Sequence, residues 1–79
     1  MTEIAQAMAV LDDAFRRCRK EDIRTPDVFA ALDYLEAKSV ETRPFDQFRF
    51  ALDSDDPEAR WQNLNASLNG IRRVVSDRP

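Results

Sequence analysis

Asp53, Asp55 and Asp56 stand close together in the chain, and carboxylates so spaced are the raw material of a calcium loop. A loop of the EF-hand kind sets acids at alternate positions, a glycine at the sixth and a glutamate at the twelfth. Counted from Asp53, the sixth position is Glu58 and the twelfth is Leu64, so the pattern fails. The cluster reads instead as a solvated loop that caps the following helix, because a carboxylate there accepts from the helix's first free N–H groups. Asp12 and Asp13 form a second acid pair. They lie within one helical turn of Arg16 and Arg17, so local ion pairing is expected rather than acid–base catalysis.

Other chemistries are missing their residues. The 79-residue sequence has no histidine, one cysteine and one glycine. Without histidine there is no Ser-His-Asp arrangement and no imidazole base or ligand. One cysteine cannot build a multi-cysteine zinc site or an internal disulfide. One glycine, placed among helix-forming residues, cannot make a glycine-rich phosphate loop. Cys18 continues an apolar stripe and is expected to be a buried, inert thiol. No catalytic, cofactor-binding or metal-ligating residue is assigned.

Residues 44–53, "PFDQFRFALD", invite a nucleic-acid reading as the second helix of a helix-turn-helix. Gln47 and Arg49 could read base edges, but Asp46 and Asp53 share their outer side and would repel phosphates. Net charge argues the same way. It is −3 overall, and residues 21–56 carry ten acids against Arg24, Lys38, Arg43 and Arg49, for a net −6. A nucleic-acid surface needs the opposite sign.

The elements that must carry these side chains are helices. A composition 43% hydrophobic and 34% charged is enough for a core, and scarce glycine with abundant Ala, Leu, Arg and Glu favours an all-α chain. The spacing predicts helix 1 over about 3–20, capped by Thr2, with Ile4, Met8, Leu11, Phe15 and Cys18 as its stripe. Helix 2 is expected over about 26–39, with Val28, Ala31, Leu32 and Leu35 inward and Phe29 and Tyr34 on opposite flanks. Helix 3 is expected over about 44–53 and helix 4 over about 57–75, the latter with Trp61, Leu64, Leu68, Ile71 and Val75 inward. Thr25-Pro26, Arg43-Pro44 and Asp56-Pro57 punctuate the chain as helix starts, since proline at the first position gives up an N–H that has no partner anyway. "FRFAL" also alternates like a strand, but nothing else in the chain alternates to pair with it.

Four amphipathic helices on short connectors predict one domain over 1–79, a small antiparallel bundle. In up-down order the basic run Arg16–Lys20 should lie beside Asp53, Asp55 and Asp56. Residues 76–79, "SDRP", read as a frayed tail. No apolar stretch approaches the about 20 residues that span a bilayer, and no basic flank with an apolar run opens the chain. A cytosolic protein is expected, and the sequon at Asn65 is then incidental.

With Phe45, Phe48 and Leu52 facing inward, Phe50 points out between Asp46 and Asp53, and Tyr34 is off its own stripe. Exposed aromatics are enriched where proteins meet. Tyr34, Asp46, Phe50 and Asp53 are therefore the expected protein-binding residues. The reading is a small non-catalytic interaction module, an inhibitor or adaptor for a basic partner surface such as that of a nucleic-acid-handling enzyme. The partner could equally be a second copy. The alternatives are a helix-turn-helix regulator and a purely self-associating structural protein.

Overall fold

Three prolines set the helix starts. The computed structural model describes residues 3–75 and contains α1 (Glu3–Arg17), α2 (Pro26–Ala37), α3 (Arg43–Leu52) and α4 (Pro57–Val74). The Thr2 cap and the tail at 76–79 lie outside the described residues. Pro26 and Pro57 are the first residues of their helices, while Pro44 is the second of α3. The Thr25 hydroxyl accepts from the Val28 N–H at 3.4 Å, and Asp56 Oδ1 from the Glu58 N–H at 3.0 Å. Thr42, ahead of α3, makes no such side-chain bond. "FRFAL" is helical, and the described residues contain no strand beyond one isolated antiparallel bridge between Ser39 and Val75.

The chain is an all-α bundle. α1 packs on α2, α3 packs on α4, and a thinner α1–α4 junction joins the two hairpins. Arg24 on the approach to α2 meets Asp53 at the end of α3 at 3.7 Å, while Val40 after α2 donates to Val74 O at 3.1 Å. α2 and α3 therefore run antiparallel.

α1 and α2 end earlier than the apolar spacing implies. α1 stops at Arg17 instead of Lys20, and the Arg60 guanidinium donates to the Cys18 carbonyl at 3.2 Å, which answers a C-terminal acceptor left without a helical partner. α2 stops at Ala37, and α4 gives way at Val75 to extended backbone, so that Ser39 and Val75 can pair.

The inward face of α1 is also rotated from the expected stripe. Ala7, Leu11, Ala14 and Cys18 are buried, whereas Ile4, Met8 and Phe15 are only partly buried. Small residues at 7 and 14 let α2 approach closely, and the larger side chains turn to the α4 junction. There Phe15 stacks on Trp61 with ring centroids 5.5 Å apart. Trp61 is half-buried at this junction, and α4 fills the core with Leu64, Leu68 and Ile71. Ser67 joins them, its hydroxyl donating to Asn63 O at 2.9 Å. Ile23, in the α1–α2 connector, is buried as its position suggests.

Gly70 has a packing role. A β-carbon there would sit 3.1 Å from Pro44 Cβ and 3.2 Å from its Cγ, so glycine lets the start of α3 lie against α4. Gly70→Ala, which should stabilise an exposed helix by up to about 1 kcal/mol, is expected to lower the melting temperature here. In a Pro44→Gly background, which removes both of the atoms that the new methyl would meet, the same change should raise it, and thermal melts of the four proteins check the coupling. Leu11→Ala and Leu64→Ala, at fully buried positions, should each cost about 2–5 kcal/mol in the same assay.

Candidate functional site

α3 is ten residues long and buries Pro44, Phe45, Phe48, Ala51 and Leu52. Those positions define one side of the helix, and successive residues turn by about 100°. Phe50 falls opposite that side and is 81% exposed. Asp46, Gln47 and Asp53 are exposed around it. A phenyl ring so placed adds little to folding.

Arg49 takes the flank of α3 that faces α2. Its guanidinium donates to Asp33 at 2.8 Å and Glu36 at 2.9 Å on α2, and to Asp46 at 3.3 Å on its own helix. The carboxylate of Glu36, ahead of a smaller opposing effect of burial, holds the guanidinium above its ordinary pKa, so Arg49 stays charged. One cation thus serves three carboxylates. Asp53 lies near Arg24.

Of the four expected residues, the structure groups Asp46, Phe50 and Asp53 on α3 and sets Tyr34 apart. Tyr34 lies on the opposite flank of α2, beside a shallow groove shared with α1 whose lining includes Glu3, Gln6, Ala7 and Val10. It is half-buried, the Lys38 ammonium lies 5.5 Å from its ring, and burial followed by the Glu3 carboxylate pushes its phenol pKa up. Two exposed apolar residues join the surface instead: Phe29 at 38% and Val40 at 83%. The flank position of Phe29 was legible from its spacing; the exposure of Val40, in a connector, had no periodic signal.

The basic run and the acidic loop do meet, in a modified form. A cavity of about 280 Å³ at their junction is lined by Arg19, Lys20, Arg24, Asp53, Asp55 and Arg60, among others. Arg19 pairs with Glu58 at 3.1 Å and lies 4.5 Å from the Trp61 ring centroid, while Arg60 donates to Ser54 O at 2.8 Å. Arg16 and Arg17 turn back to Asp13, and Arg17 also reaches Glu21. Asp12 pairs with Arg72 of α4 instead of its own helix. Cys18 is buried, and burial raises its thiol pKa against the opposing pull of Arg60 and Arg19. Among the described residues no three His, Cys, Asp or Glu side chains are grouped so that they could hold a metal ion, and no helix is long and apolar enough to cross a membrane.

Comparison of the chain with protein-family models, with curated proteins and with solved structures finds no match in any of the three. Function is read from the surface alone.

Asp22 supplies a check on the electrostatics of the connector end. Hydrogen bonds from the Arg24 side chain and then from its backbone N–H lower the carboxyl pKa from 3.8 to about 2. A folded pKa below the unfolded one stabilises above the unfolded value, and that contribution is lost as pH falls from near 4 through about 2. NMR titration should find the Asp22 midpoint near 2, and Arg24→Gln should return it toward 3.8.

Proposed function

We propose that this bundle acts in the cytosol by binding another protein through the outer face of α3, with no catalysis of its own. Phe50 carries the reading. It is a large aromatic side chain, 81% exposed, directly opposite the buried side of its helix and flanked by Asp46 and Asp53. Aromatic anchors of this kind dominate the energetics of interfaces, and a ring of polar side chains around them excludes water. The net −6 of residues 21–56 favours a basic partner surface, such as that of an enzyme that handles nucleic acid, in the role of an inhibitor or adaptor. It disfavours direct binding to nucleic acid, and a gel shift against mixed duplex at low salt should be blank. A second copy of the chain is the other protein partner to be tested.

The test compares two phenylalanines two positions apart. Phe50→Ser removes no core volume and should change stability by less than about 0.5 kcal/mol. It should weaken association by about 2 kcal/mol or more, roughly thirtyfold. Phe48, fully buried, is the control: Phe48→Ser should melt the fold, because it leaves a void and buries an unpaired hydroxyl. The measurements are thermal melts, sedimentation velocity over a concentration series, and pull-downs in which a basic protein is retained by the parent chain and lost with Phe50→Ser. Equal retention by both chains, with unchanged sedimentation, overturns the proposal.

A further inference from the structure

We infer that the docking site extends from α3 across the seam to α2, and that its occupant is a basic amphipathic helix of the partner protein. This rests on the α3 reading above and specifies its partner. Asp33 and Asp46 lie on the two sides of the seam, their side chains 75% and 71% exposed, and each bonds Arg49 through its Oδ1. A carboxylate has room for about four hydrogen bonds, so both retain acceptor capacity toward solvent. With Glu36 included, the seam holds three carboxylates around one guanidinium.

The aromatic side chains fall beside this acidic pair. Phe29 is one turn before Asp33 on α2, and Phe50 is one turn after Asp46 on α3. Because the helices run antiparallel, both steps lead toward the same end of the bundle. The surface therefore offers two phenylalanines, 38% and 81% exposed, next to two exposed acids. Side chains one helical turn apart are about 5–6 Å apart. The complement is a helix with apolar residues on one stripe and Lys or Arg one turn along it, laid in the seam of two helices.

The probe is a synthetic helical peptide of about five turns, with leucines along one face and lysines elsewhere. Its controls are a glutamate-for-lysine twin and a serine-for-leucine twin. Titrated into the full chain labelled with ¹⁵N, the lysine–leucine peptide should shift amides around Phe29, Asp33, Asp46 and Phe50, and neither twin should. Its affinity should fall about tenfold or more in Phe50→Ser and Phe29→Ser. It should fall several-fold in the Asp33→Asn, Asp46→Asn double variant, which alters only exposed side chains, and with added salt. Loss of binding in Phe50→Ser alone, with Phe29→Ser and the double asparagine variant unaffected, overturns the seam and leaves the α3 reading standing. Indifference to Phe50→Ser overturns both. Shifts centred on α1 or α4, equal binding of the glutamate twin, or self-association abolished by Phe29→Ser each overturn the basic-helix assignment.

Discussion

The burial of Phe45 and Phe48 against the rest of the bundle sets the orientation of everything on α3. Both rings are withdrawn from water, and each is worth about 1.5–3 kcal/mol when fully buried. With those two positions inward, helical geometry leaves no choice for the others. Arg49 turns to α2, Pro44 lies against Gly70, and Phe50 is presented to solvent. A rotation of α3 by one residue would bring Phe50 and Arg49 toward the core flank and strip the three carboxylates of their shared cation. The exposed ring is thus a consequence of burying Phe45 and Phe48.

The two hairpins depend on a different kind of contact. Within each hairpin the helices pack by apolar surface, while at the α1–α4 junction polar and aromatic side chains join the aliphatic contact of Ile4 and Met8. Arg60 reaches across to the carbonyl of Cys18 while also holding that of Ser54 in its own hairpin, Arg72 meets Asp12, and Arg19 spans Glu58 and the Trp61 ring. The bonds from Arg60 go to backbone atoms, which are fixed by the helices around them. Exposed ion pairs contribute less, about 0–1 kcal/mol each. Arg60 is thus tied to backbone on both sides of the junction.

Much of this was legible in the sequence, for definable reasons. Proline starts and 3-4 spacing are local signals, and they located four helices and most of the core. The spacing of Phe45, Phe48 and Leu52 outweighs the alternation in "FRFAL", and the same spacing places Phe50 outward. What escaped depends on neighbours distant in the chain. Alanines at 7 and 14 carry little hydrophobic signal, yet they mark the close approach of α2. Gly70 acquires its reason only when Pro44 is beside it. Tyr34 and Phe50 are alike in lying off their stripes, and only the order of helices in space separates them. The partner that answers the Cys18 carbonyl past the early end of α1 is likewise Arg60, far along the chain.

The position of Trp61 gives the protein a built-in optical readout. It is the sole tryptophan, and it sits where α4 meets α1, stacked on Phe15 and covered by Arg19. Its emission therefore senses the separation of the two hairpins more directly than the melting of either one. A state with intact hairpins and a parted junction would keep its helical circular dichroism while its tryptophan spectrum moved to the red.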